Sequence, residues 1–472
     1  MKLNKVNDCI MNAKISIALG RFFNSIYFPV FTAAVVLMFY YLGLDILTIW
    51  YLCICWALIF LTCKDVTPLL CVILFMCMMI SEKNTPSPNG ASSDYFMRAE
   101  ILAQIGIAAS LAIAASVYRV TVTALSGRLK LTPVFWGLVV FAAALIFNGV
   151  LSAEYKAGNL LYGAVLAGLF LGVYTLGLGN IQADGQTFKK VAGYFIAAFA
   201  VLAVEIILLY ARTENLISGD RINRELIFFG WGTYNNFGVL VCTTLPAWFY
   251  LAGSEKNGFL YIFGGTANLL IAFMSMSRQT MIVSMLLFVV CTVWLFVRSG
   301  GEERLKNFLT IAFIVTVLGI ILTGMYDDLK KFIEPLLENF KSGSGRTELW
   351  EAGIKYFFAN PLFGIGFHGG DISAWDYGSA GLDFVPRMYH NTFVQLSASC
   401  GLFGLLAYIA HRTQTVISFF ENPSHERFFI ALAACAILLS SLLDVHIFSP
   451  FPVLVYSMLL SLFTSAQDKR KV

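Results

Sequence analysis

A succession of long apolar runs, broken by short polar turns, governs everything else about this chain. A helix needs about 20 apolar residues to cross a bilayer, with a range of roughly 17–25. Such runs fall near 25–43, 46–62, 67–81, 99–117, 132–150, 158–178, 191–210, 235–252, 258–274, 279–297, 308–325, 391–410, 427–443 and 451–466, the run at 67–81 being the shortest. The alternating polar and apolar residues of a membrane barrel are absent, and only helices then satisfy the backbone in lipid. The expected fold class is all-α: a polytopic transmembrane bundle of about 12–14 spans over residues 1–472, with one long extracytoplasmic loop that contains short amphipathic helices.

Composition agrees. The 472 residues are 58% hydrophobic and only 13% charged, with mean hydropathy +0.75. A soluble chain carries roughly 25% charged residues, so most of this surface faces lipid. The basic start, MKLNKVNDCIMNAKISIALGRFFN, has no small-residue cleavage site after its first apolar run, and that run reads as a retained span. The ten cysteines lie mostly inside spans, with no CxxC pair, and read as small apolar filler rather than disulfides or metal ligands.

Charge sets the orientation. Lysine and arginine accumulate in cytoplasmic loops. With the N-terminus inside, 19 of the 32 basic residues face the cytoplasm, and six of the remaining 13 sit in one loop, 326–390. The rule applies to short loops, so both termini are expected inside. A net charge of +4 needs no nucleic-acid partner, because basic loops beside anionic lipid account for it.

Four places on the outer side break the pattern of bland connectors. The loop 211–234 carries Arg212, Arg221 and Arg224 against the positive-inside bias, beside a Gly-Trp-Gly turn that leads into Asn235 and Asn236. The short turn SMSRQT (275–280) sets Arg278 between two apolar runs, where charge usually faces a cavity or a partner. The loop 326–390 opens with the amphipathic LKKFIEPLLENF. It continues into a predicted surface helix on which Leu349, Trp350, Gly353, Tyr356 and Phe357 share one face. That face reads as packing, whereas Arg346 at the helix start is a candidate for binding an anion. Last, His390 and Asn391 open a span, and Asp444 and His446 lie in the final outer turn.

These residue types share a chemistry. Arginine makes forked, permanently charged hydrogen bonds that suit phosphate oxygens. Several arginines at the outer surface suit a lipid-linked diphosphate, and a nearby histidine suits removal of a proton from an acceptor hydroxyl. Nothing resembles a nucleotide site: GIGFHGG (364–370) follows no strand and is a poor phosphate loop. A metal cluster of His368, Asp371, His390, Asp444 and His446 is the rival reading, but these spacings match no standard ligand signature. His446 otherwise reads as an interfacial polar residue.

The chain resembles the O-antigen ligase and O-antigen polymerase superfamily. The likeness rests on FFGWGTYNNFGVLV (228–241), SMSRQT (275–280), SGRTELWEAGIKYFFANPLFGIGF (344–367), YHNTFVQLSASCGLFGLLAY (389–408) and Asp444, and covers roughly 220–450. It implies a bacterial integral membrane glycosyltransferase whose donor is an undecaprenyl-diphosphate-linked glycan. The acceptor is a sugar hydroxyl on lipid A-core, on another glycan or on a protein. It implies no cofactor, nucleotide-sugar or required metal. Residues equivalent to Arg278 and to one of Arg221 and Arg224 bind the diphosphate in that family, and one equivalent to His390 is central to catalysis. Arg224 is the preferred member of the pair. The reading assigns His390 and Arg278 to catalysis, and Arg224, Arg221, Arg346, Asn391 and Asp444 to substrate binding. The alternative is a flippase or transporter of lipid-linked glycan, which predicts charge near the membrane midplane and paired repeats. Glu205 is the clearest acidic residue inside a span, and no repeat is visible.

Overall fold

The structure is a computed structural model that describes residues 11–77, 98–129, 131–214, 216–218, 221–223, 226–229, 232–324, 346–370 and 387–466. It is all-helical apart from two miniature antiparallel ladders. The first helices are α1 (Lys14–Phe23), α2 (Tyr27–Tyr41), α3 (Asp45–Thr62), α4 (Leu69–Cys77), α5 (Ala99–Leu125), α6 (Pro133–Leu151), α7 (Ala157–Gly177) and α8 (Gly185–Arg212). The ladders come next, β1 (Ile217–Ser218) with β2 (Arg221–Ile222) and β3 (Phe228–Phe229) with β4 (Gly232–Thr233). Then follow α9 (Tyr234–Ala252), α10 (Phe259–Met274), α11 (Arg278–Arg298), α12 (Gly301–Gly324), α13 (Arg346–Ala359), α14 (Thr392–Glu421), α15 (His425–Leu443) and α16 (Pro450–Ser465).

Among the described residues nine helices are long and apolar enough to cross a membrane, or ten if α1 and α2, bent by 77°, form one span. The four other expected spans are helical but fall short for identifiable reasons. α4 has nine residues, and α10 and α16 are short apolar helices. α9 starts with Tyr-Asn-Asn and contains Pro246. α9 and α16 are also wrapped by protein: from Pro452 to Thr464 every residue of α16 is buried. They form the core of the bundle rather than its lipid face. The segments of loop 326–390 at 325–345 and 371–386 lie outside the described residues, as do the expected helix LKKFIEPLLENF and Asp371.

Helix starts follow their capping residues. Thr132, Asp184, Ser277, Asn391 and Ser424 each accept a hydrogen bond from a backbone N–H of the first turn that follows. At the opposite ends from the site described below, charge is locked inside protein. The Arg119 Nε donates to Asn180 Oδ1 at 2.8 Å, and its Nη2 donates to the carbonyls of Cys63 and Lys64 at 3.0 Å each. Arg427 lies over the Phe463 ring and donates to Asn422 O and Ser418 Oγ. These basic residues, which sequence alone assigns to loops, staple helix ends together.

The fold bends hardest in α14. Gly401 has φ 62° inside this helix, which breaks the hydrogen-bond ladder there. Unpaired backbone groups are costly at membrane depth, and the extended segment after α13 takes them up. Leu402 N and Phe403 N donate to the carbonyls of Pro361 and Leu362, while Ile365 N and Gly366 N donate to those of Ala398 and Ser399. The Asn148 side chain of α6 donates to both Phe363 O and Ser399 O. A Cβ on Gly401 would stand 2.5 Å from the Leu362 carbonyl, so both the conformation and the space require glycine. Gly401→Ala is expected to cost more than about 2 kcal/mol through strain and overlap. Its thermal midpoint in detergent should fall clearly below wild type. Gly106→Ala, where a Cβ meets nothing within 4 Å, should match wild type.

Candidate active site

The break in α14 frees its first turns to present the segment before it. Tyr389 N donates to Gln395 Oε1, and Gln395 Nε2 donates back to Arg387 O, which folds this segment over the helix start. His390 is left with φ 51°, a left-handed conformation that costs a non-glycine residue on the order of 1–3 kcal/mol. Met276, two residues before Arg278, has φ 55°, and these two are the only non-glycine residues with positive φ among those described. Both border the same site. Strain kept at two such positions is a mark of functional geometry.

The centre of the site is Asp444, in the turn between α15 and the short 3-10 helix His446–Phe448. His390 Nδ1 lies 2.7 Å from Asp444 Oδ1. Because the carboxylate can only accept, Nδ1 carries the proton, and Nε2 is the basic atom of the ring. Val445 N also donates to Oδ1, at 2.8 Å, and Asn235 Nδ2 donates to Oδ2 at 3.1 Å. Burial alone would raise the Asp444 carboxyl. The hydrogen bonds from His390 and from Val445 N work against burial and hold the group well below the usual carboxylate range. Asp444 is therefore ionised at neutral pH.

His446 has a different environment. It is buried, and the Gln279 amide Nε2 donates to its Nε2 at 2.6 Å. Nδ1 then carries the hydrogen and donates to Asn236 Oδ1 at 3.1 Å. Both nitrogens of the neutral ring are engaged. Burial lowers its pKa, Asp444 opposes this, and the charges of His390 and Arg346 add to the lowering. The influence of Arg346 places the first residue of α13 within electrostatic reach of the turn. α13 packs its Leu349–Gly353 face inward: a Cβ on Gly353 would meet Val394 Cγ1 at 2.5 Å and Tyr389 Cδ1 at 2.9 Å. The face expected to serve packing therefore lies against the segment that bears His390.

Arg278 is the first residue of α11, directly after the capping Ser277, and is half-buried. Ser277 Oγ donates to Asn235 Oδ1 at 2.7 Å. A close approach of α9 to α11 makes this contact possible: a Cβ on Gly238 would stand 1.8 Å from Thr280 Oγ1. Asn391, expected to touch substrate, caps α14 and bridges to α15. Its Oδ1 accepts from Phe393 N and Val394 N, and its Nδ2 donates to Leu442 O at 2.9 Å, which ties the start of α14 to the end of α15. Thr392 Oγ1 adds a parallel bond to Ser441 O. Arg221 lies in β2, opposite Ser218, where only the backbone is described, and Arg224 lies outside the described residues.

The glycine-rich stretch 364–370 is occupied by its own neighbours. His368 N donates to Asn159 Oδ1 and Gly370 N donates to Glu154 Oε2. Its amides thus face a carboxylate and an amide oxygen, a poor cradle for phosphate. His368 belongs to this cluster beside Tyr162, apart from His390. Among the described residues no group of three or more His, Cys, Asp or Glu side chains is placed to hold a metal ion.

Sequence reasoning brought out His390, Arg278, Arg346 and Asp444 but passed over Asn235, Asn236, Ser277, Gln279 and the role of His446. Their signal is faint: paired asparagines in the first turn of an apolar helix, and polar residues on either side of a lone arginine.

A multi-pass helical membrane protein with a histidine–carboxylate pair beside a helix that begins with arginine is the class this geometry defines. Residues 263–409, which hold Arg278, Arg346, His390 and Asn391, match the family described as O-antigen ligase. The match supports a membrane glycan-processing enzyme. No curated protein matches the chain.

Both Asp444 and His446 have folded-state pKa values below their ordinary ones. The stability they contribute is present above the unfolded values and is lost as pH falls. For His446 the loss begins below about pH 6.5. The thermal midpoint should therefore decline between pH 7.5 and 5.5, and His446→Gln, which does not titrate, should flatten that decline.

Proposed function

We propose that the protein is a polyprenyl-diphosphate-dependent glycosyltransferase of the outer face of the bacterial cytoplasmic membrane. It passes an undecaprenyl-diphosphate-linked oligosaccharide to a hydroxyl of a glycan or lipid A-core acceptor, either as a ligase or as a polymerase, for assembly of a surface polysaccharide such as O-antigen, capsule or exopolysaccharide. The observation that carries this reading is the 2.7 Å contact of His390 with an Asp444 carboxylate that stays ionised.

The chemistry follows from the tautomer. His390 Nε2 takes the proton of the acceptor hydroxyl as its oxygen bonds to the anomeric carbon. The bond from that carbon to the diphosphate oxygen breaks, and the electron pair leaves with the diphosphate. Direct displacement inverts the anomeric centre. The imidazolium that forms is stabilised by Asp444, and the charge growing on the diphosphate by Arg278, Arg346 and one of Arg221 and Arg224. Arginine suits this task because it stays charged and binds two oxygens at once. Both termini lie in the cytoplasm in this reading, following the bias of basic residues toward one set of loops.

Purified protein in nanodiscs, given a polyprenyl-diphosphate oligosaccharide, should extend it. A ladder of longer lipid-linked chains identifies a polymerase, and a single transfer that requires added lipid A-core identifies a ligase. His390→Ala should lose at least about 100-fold in rate while still binding donor, and full activity in that variant would sink the assignment of the base. Donor binding without any transfer by the wild type would favour a flippase. Orientation has its own check. A cysteine introduced at Ser87 should react with a membrane-impermeant thiol reagent on intact cells, and one at Ser126 should react only after permeabilisation.

A further inference from the structure

The Asp444 carboxylate has two oxygens, and the proposed base uses one of them. The other is held by Asn235 Nδ2 at 3.1 Å. The Asn235 amide is itself fixed, because its Oδ1 accepts from Ser277 Oγ at 2.7 Å. Ser277 Oγ in turn accepts from Thr280 N at 3.4 Å, which orients the hydroxyl hydrogen toward Asn235 and caps the helix that begins with Arg278. Four side chains, from α9, the cap of α11, the turn after α15 and the segment before α14, thus form one chain: Ser277 donates to Asn235, Asn235 to Asp444, and His390 to the opposite oxygen of Asp444. The amide cannot rotate without losing two bonds at once. The chain joins the base to the start of the arginine helix; one end is the left-handed His390, and the other, Ser277, directly follows the left-handed Met276, these being the two non-glycine residues with positive φ among those described.

We infer that Asn235 is the positioning residue of the site: with Ser277 it fixes the carboxylate behind His390 and couples the base to the helix start that carries Arg278. This inference rests on the reading of His390 as base. Asn235 acts through Asp444 and not on the sugar. Among the described residues, His390 from the segment before α14, His446 within the turn and Arg346 from α13 act on this turn, and Arg278 begins the helix joined to it through Ser277 and Asn235.

Removing the Asn235 donor leaves Oδ2 short of a hydrogen bond in a buried place. The less satisfied carboxylate then pulls harder on the His390 proton and favours the imidazolium. The limb of the pH–rate profile that reports neutral His390 must move to higher pH. A purely structural defect would lower the plateau and leave the limb in place.

The test uses full-length protein in nanodiscs with lipid-linked donor and acceptor. Asn235→Ala should lower kcat roughly tenfold or more, keep the donor KM within about threefold, and shift the acid limb of kcat/KM upward by roughly half a unit to one unit. Asn235→Asp, nearly isosteric but bringing a like charge, should shift it further. Ser277→Ala should act in the same direction, Ser277→Thr should restore most of the loss, and Asn235→Ala with Ser277→Ala should be clearly less than additive. If Asn235→Ala does not fold, the Ser277 series and its double-mutant cycle with Asn235→Asp carry the test. An unshifted limb in these variants, or strict additivity, overturns the inference. Loss of the limb in the wild type, or activity in His390→Ala, would instead overturn the assignment of the base.

Discussion

A carboxylate buried among helix ends is the interaction on which this architecture turns. Asp444 is almost fully enclosed, and an isolated charge in such a place is prohibitively costly. It is tolerated because three donors converge on it: His390 Nδ1, Val445 N and Asn235 Nδ2. They come from the segment before α14, the turn after α15 and the first turn of α9. Those elements must therefore meet at one point, and much of the bundle near the site can be understood as the means of bringing them there. Gly238 lets α9 press onto α11, Asn391 and Thr392 tie α14 to α15, and the break at Gly401 gives the first turns of α14 their own direction.

The two histidines of the site divide the work by environment. His390 is partly exposed and held at Nδ1 by Asp444. His446 is enclosed, with both nitrogens engaged by Gln279 and Asn236, and serves as a neutral part of the floor. The same side chain thus keeps one nitrogen open in one place and neither in the other, and the difference lies in solvent access and in the number of partners.

Much of the fold could be read from the chain directly. The apolar runs from 46–62 to 427–443 appear as helices close to where they were expected, because hydrophobic length is a local property. Arg278 and His390 stood out for a similar reason: a charged or titratable residue against an apolar run is conspicuous in one dimension. The part played by Asn235 was not legible, since an asparagine at a helix start looks like a cap until a carboxylate 209 positions away is seen beside it. The packing role of Asn391 was not legible either: beside His390 it reads as a substrate contact, while its hydrogen bonds to backbone tie α14 to α15. Nor did sequence separate helices that face lipid from α9 and α16, which are apolar because they are enclosed by protein.

By itself, then, the amino-acid sequence determined that the chain crosses a membrane many times as helices, and that its arginines and histidines gather in a few polar turns. Both follow from local rules of hydropathy and spacing. Tertiary structure alone decided which of those turns meet, which nitrogen of each histidine is basic, and that one carboxylate joins His390 to the start of the arginine helix. Such contacts depend on how helices approach one another, and that approach is set by small residues, breaks and buried hydrogen bonds spread over more than 200 positions.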